Sequence, residues 1–198
     1  MKKTQKKPKG KVTSKERLHV LRDLFLNVMW PLLEAQGFVK EPFAHWLWGW
    51  EPGVHGYYYQ TVRLRGSYID YMRIFVPSKS RLMEISFQII ELSEEINSLQ
   101  DIITNVELDV DIMASKKNDV LYPYFGSWGN HRWCWILFIN GYKLKCYFTR
   151  RGFNRRVEQL KRSLIRNFSD LEPTVAMWMK LNKPNVLNVQ EMKIEKTE

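Results

Sequence analysis

Four residues, Arg65-Gly66-Ser67-Tyr68, constrain this chain more than any other segment. Gly at the first central position of a two-residue loop suits a type II′ turn, whose twist matches that of two antiparallel strands. The turn sets the register of everything that flanks it. Leu64 falls opposite Ile69, Val62 opposite Tyr71 and Tyr58 opposite Phe75, and Arg63 faces Asp70 as a favourable cross-strand charge pair. An antiparallel sheet is therefore the expected centre of the fold.

Other segments extend that sheet. After Pro77, the residues Met83, Ile85, Phe87 and Ile89 alternate with Glu84, Ser86 and Gln88, the pattern of a strand with one wet face. Phe43 to Trp50 reads as an aromatic-rich extended segment before a Pro52-Gly53 turn. Asn140-Gly141 is a strong hairpin signal. A type I′ turn there pairs Ile139 with Tyr142, Leu137 with Leu144, Trp135 with Cys146 and Trp133 with Phe148, all on one apolar face. In that register Cys134 and Cys146 point to opposite faces, so both are expected as free thiols.

Helices flank the strands. Thr13-Ser14-Lys15-Glu16 has the form of a capping box. Leu18, Leu21, Phe25, Val28 and Leu32 then recur at helical spacing, Gly37 supplies a C-terminal cap, and Pro31 should kink the helix. Ile96, Leu99, Ile102, Ile103 and Val106 suggest a second helix, followed by an irregular stretch over 107–131. Asn154 is the expected cap of a third helix with Val157, Leu160, Leu164, Ile165 and Phe168 as its buried stripe. A fourth follows Pro173, with Val175, Trp178, Met179 and Leu181 as its apolar residues. This order predicts an α+β fold: a largely antiparallel sheet of about six strands with helices packed on one face. Residues 16–182 form the expected single domain, between a disordered basic tail (1–15) and a flexible end (183–198).

The charge is unevenly placed. The chain carries +10 overall. Residues 1–17 hold seven Lys, one Arg and one Glu, a net +7. Residues 150–166 hold seven cations against Glu158 alone, a net +6, so the remainder sums to −3. A mildly acidic body with two concentrated basic segments points to a polyanionic partner. In the first segment the cations are Lys2, Lys3, Lys6, Lys7, Lys9 and Lys11, with Lys15 and Arg17 beyond them. In the second they are Arg150, Arg151, Arg155, Arg156, Lys161, Arg162 and Arg166. Arg155, Gln159, Arg162 and Arg166 follow helical spacing and form one polar stripe opposite the apolar one. A guanidinium suits phosphate because its planar fork donates two bonds at once.

Aromatic residues make up 14% of the chain, enough to weigh stacking against core filling. Trp46, Trp48 and Trp50 share a face of the first strand, and Trp128 lies in the 107–131 stretch. These four are the candidate base-stacking residues, whereas Trp133 and Trp135 read as core.

Other chemistries leave weaker traces. His131, Cys134 and Cys146 do not make the paired ligand spacing of a zinc site, and no metal or cofactor is expected. There is no Gly-x-Ser-x-Gly elbow, no Cys-x-x-Cys and no phosphate-loop glycine pattern, so catalytic residues are not assigned. No apolar run approaches the ~18 residues of a membrane-spanning helix. The basic segment at the start lacks the apolar stretch of a secretory signal. A cytoplasmic location follows as an expectation, or a nuclear one in a eukaryote, given Lys6-Lys7-Pro8-Lys9.

The expected function is non-enzymatic binding of nucleic acid or another polyanion. An interaction module for an acidic protein is the first rival. An enzyme or small-ligand binder with a pocket under 107–131 is the second.

Overall fold

A computed structural model describes residues 12–42, 48–99, 141–181 and 183–187. The chain begins with a helical rod made of α1 (Ser14–Leu24), one π-helical turn (Phe25–Met29) and α2 (Trp30–Glu34). The strands are β1 (Val39–Lys40), β2 (Trp48–Glu51), β3 (Gly56–Arg65), β4 (Tyr68–Pro77), β5 (Leu82–Leu92), β6 (Gly141–Lys143) and β7 (Asn185–Leu187). Helices α3 (Arg150–Phe168) and α4 (Glu172–Leu181) lie between β6 and β7.

The strands form one sheet in the order β1-β3-β4-β5-β6, with β2 also on β3 and β7 also on β5. The pairings of β1 to β6 are antiparallel, and β7 runs parallel to β5. The α+β expectation is met, including the central hairpin. Leu64 pairs with Ile69, Val62 with Tyr71, Tyr58 with Phe75 and Arg63 with Asp70. Gly66 supplies the positive φ of +58° that the turn requires. Asn185–Leu187, in the stretch expected to be flexible, pairs with Ile90–Leu92.

The helices cover one face of this sheet. Tyr59, Met72, Ile74, Val76, Met83, Ile85, Phe87 and Ile89 meet the apolar sides of the helical rod, α3 and α4 in a single cluster. The opposite face is not wet. Ser86 and Gln88 are each only 9% exposed, which corrects the expectation of a solvated side on β5. β5 has β4 along one edge and β6 and β7 at the two ends of the other. Polar side chains there find partners, as when Arg73 Nε donates to Ser86 Oγ at 3.2 Å.

The rod begins as its capping residues dictate. Thr13 Oγ1 accepts from Glu16 N–H at 3.1 Å. It ends where Gly37 adopts φ +85°, with the Gly37 N–H bonded to Glu34 O and the Phe38 N–H bonded to Leu33 O. This is a Schellman end, and buried Phe38 and Leu33 supply its apolar contact. Pro31 is accommodated by the π turn just before it, where the Trp30 N–H reaches back to Phe25 O. That turn inserts one residue out of phase. Met29, Trp30 and Leu33 are therefore the buried residues, and the expected Val28 and Leu32 are only half-buried.

Three further expectations are corrected around α3. Its N-cap is Thr149, in extended backbone with Oγ1 accepting from Gly152 N–H at 3.0 Å, and Asn154 lies inside the helix. Phe153 takes the place expected for Ile165, which is 41% exposed. Gly141 pairs with Glu84 in β6, while Asn140 and the expected partner strand 133–139 lie outside the described residues. β6 ends at Lys143, and the in–out alternation then slips. Tyr142 and Leu144 are buried as expected, yet Cys146 is exposed and Phe148 fully so.

Candidate polyanion interface

Helix α3 runs parallel to the α1–α2 rod. At their starts, Glu16 on α1 forms an ion pair with Arg150 on α3. At their ends, Gln36 binds both sides of the α3–α4 junction. Its Nε2 donates to Leu32 O at 2.8 Å and to Phe168 O at 2.7 Å, while its Oε1 accepts from Leu171 N–H at 2.9 Å. The two rods are nearly matched in length: 19 residues of α3 at a rise of 1.5 Å span about 28 Å.

Parallel packing has an electrostatic consequence. Both rods begin at the same end of the helix layer, so Lys15 and Arg17, the described cations of the first basic segment, share that end with Arg150 and Arg151. More than 130 residues separate these two groups of cations in sequence. Each helix N-terminus is itself positive, which disfavours cations gathered there but adds to the positive potential that an anionic partner would meet. The first turn of α3 contains no acidic residue.

The outward side of α3 carries the expected stripe. Arg151, Arg155, Gln159, Arg162 and Arg166 are all exposed, opposite the buried Phe153, Leu160, Leu164 and Phe168. Arg150 is neutralised by Glu16 and also lies over the Phe153 ring at 6.0 Å. Arg156 Nη1 donates to Gln159 Oε1 at 2.8 Å, and Arg166 Nε to Asn167 Oδ1 at 3.3 Å. Among the described residues, Arg151, Arg155, Lys161 and Arg162 have neither an ion pair nor a hydrogen-bond partner for their side chains. An open depression of about 690 Å³, lined by Thr149, Arg151, Gly152, Asn154, Arg155 and Glu158, lies over the first turns of the helix.

The candidate stacking residues divide. Trp48 is half-buried, with its ring edge-on to Phe25, Trp30 and Tyr59 at 4.8–5.9 Å and Lys40 Nζ over it at 4.8 Å. Its ring is thus largely committed to packing. Trp50 is 47% exposed, and among the described residues its ring pairs only with that of Tyr57, edge-on at 5.4 Å. Arg22 donates to the Tyr57 hydroxyl at 3.2 Å and doubly to Asp23, and the bond to Asp23 raises the guanidinium pKa. Lys2, Lys3, Lys6, Lys7, Lys9, Lys11, Trp46 and Trp128 lie outside the described residues, as do His131, Cys134 and the 107–131 stretch.

Nothing local in the sequence marks Gln36 or the exposure of Phe148. The first acts through contacts 132 and 135 residues away. The second was assigned to a buried face that ends before reaching it. Among the described residues no three His, Cys, Asp or Glu side chains are grouped to hold a metal ion, and no helix is long and apolar enough to cross a membrane. Comparison with protein-family models, curated proteins and solved structures finds no match to this chain.

Proposed function

We propose that this protein binds nucleic acid or a similar polyanion, mainly through phosphate contacts, along the exposed face of α3 from the end of the helix layer where α1 and α3 begin. One observation carries the reading: among the described residues, Arg151, Arg155, Lys161 and Arg162 on α3 have no acidic partner, and Lys15 and Arg17 of α1 lie at the end where α3 begins. An unspent guanidinium on a rigid helix is a ready phosphate donor. Arg155, Arg162 and Arg166 stand two turns and then about one turn apart, roughly 10 and 6 Å along the axis. Such a surface positions a backbone and carries little sequence information.

The test is a salt titration of binding to single- and double-stranded oligonucleotides. It compares the full chain, a form lacking residues 1–11, and the triple variant R155A/R162A/R166A. The truncation stops at 11 because Val12 is buried and Thr13 caps α1. On duplex DNA the triple variant should flatten the log–log salt slope by about 2.7, or 0.9 for each lost contact. Unchanged binding by the triple variant would remove α3 from the interface. Saturable binding to an acidic protein, with none to either oligonucleotide, would replace nucleic acid as the partner.

A further inference from the structure

The loop between β6 and α3 carries a phenylalanine that the fold leaves outside. Tyr147 is turned inward, its ring edge-on to Phe153 at 4.9 Å with the Arg81 guanidinium over it at 5.3 Å. Phe148 follows and is 100% exposed. A fully exposed phenylalanine contributes nothing to the core and leaves its apolar ring in water. Its neighbours in sequence are cationic or polar: Lys145, Thr149, Arg150 and Arg151, with Arg155 one turn further on, and all five are exposed.

We infer that Phe148 is a base-stacking residue and that the polyanion is single-stranded nucleic acid. The inference rests on the polyanion reading above and adds to it. A flat apolar ring among unspent guanidiniums matches a chain that alternates flat bases with phosphates. In a duplex both faces of each base are already stacked, so the ring gains a partner only from an unpaired strand. The α3 helix cannot itself enter a bilayer, because Phe153, Leu160, Leu164 and Phe168 are buried against the sheet. That favours a nucleic acid over an anionic membrane as the occupant.

The experiment separates phosphate from base. The full-length protein is titrated with a twelve-residue oligothymidylate and with an abasic oligomer of the same length and charge. The parent should prefer the base-bearing strand by about tenfold, the scale of one stacked base. Phe148→Ala should erase most of that preference and leave affinity for the abasic strand unchanged, while Phe148→Tyr should retain it. The exposed site makes misfolding no obstacle, and an unchanged melting temperature for both variants checks this.

If Phe148→Ala keeps the full preference, the stacking role is overturned while the phosphate reading stands. Binding of neither oligomer overturns both. Loss of binding to vesicles of phosphatidylserine and phosphatidylcholine in Phe148→Ala, with its oligonucleotide preference intact, reassigns the residue to a membrane surface.

Discussion

Arg63 and Arg162 are the same residue in opposite circumstances. Arg63 lies on β3 with a nearly buried side chain, and its donors are spent within the molecule. Nε and Nη2 reach Asp70 at 2.9 and 2.6 Å, and Nη1 reaches Glu172 of α4 at 2.9 Å. Asp70 is fully buried and also accepts from Arg65. Arg162 lies exposed on α3 and has no such partner among the described residues. The first cation ties sheet to helix, and the second is held at the surface with its bonding capacity intact. Total charge alone would not separate them; what does is where the acidic residues fall.

The sharpest way to break that contrast is Asp70→Ala. It removes the shared partner of two arginines, one of them nearly buried, and should cost about 3–5 kcal/mol in urea unfolding, as expected when one member of a buried pair is lost. A cost below ~1 kcal/mol would mean that Arg63 is no more structural than Arg162. Gln36→Ala comes next. It removes an amide that satisfies three backbone groups and should cost about 1–3 kcal/mol by the same measurement.

R155A/R162A/R166A should behave in the opposite way. Each exposed change should alter unfolding free energy by no more than ~0.5 kcal/mol, read from thermal melts followed by circular dichroism. A loss several times larger would make the stripe part of the fold.

Glu84→Gln sharpens the comparison from the acidic side with the smallest effect. Glu84 is half-buried on β5, and desolvation raises its pKa above the ordinary carboxylate value. Protonation is therefore favoured in the folded state, and the associated stability is lost as pH rises through the folded pKa. The Gln variant should melt above the parent at pH 7. That gain should shrink on acidification and vanish below the ordinary value of 4.5.

The parts of the fold that were legible are those decided by a few adjacent residues. The Arg65–Tyr68 turn fixed a register that runs ten pairs, from Arg65↔Tyr68 to Gly56↔Pro77. Thr13 and Gly37 announced the ends of the first helical rod in the same local way. Where two local signals competed, sequence could not choose. Thr149 and Asn154 are both good caps, and the packing of Tyr147 on Phe153 accompanies the earlier start. Likewise, the alternation along β5 correctly marks a strand but carries no information about what lies against its polar side.

The candidate site was half legible for the same reason. Helical spacing suffices to align Arg155, Arg162 and Arg166. The meeting of α3 with α1 depends on long-range contacts such as Glu16 with Arg150, which leave no local trace. Phe148 was misplaced because its exposure depends on where β6 stops.

The Gln36 bridge also bears on how the molecule is made. Its acceptor at Phe168 lies 132 residues downstream. At a ribosomal rate of roughly 5–20 residues per second, that acceptor is polymerised roughly 7–26 s after Gln36. During that interval the first helix can settle against β3, β4 and β5, which are made sooner, but α3 is not yet there to meet it. The contact between the first helical rod and α3 is therefore among the last parts of the fold that synthesis permits to close.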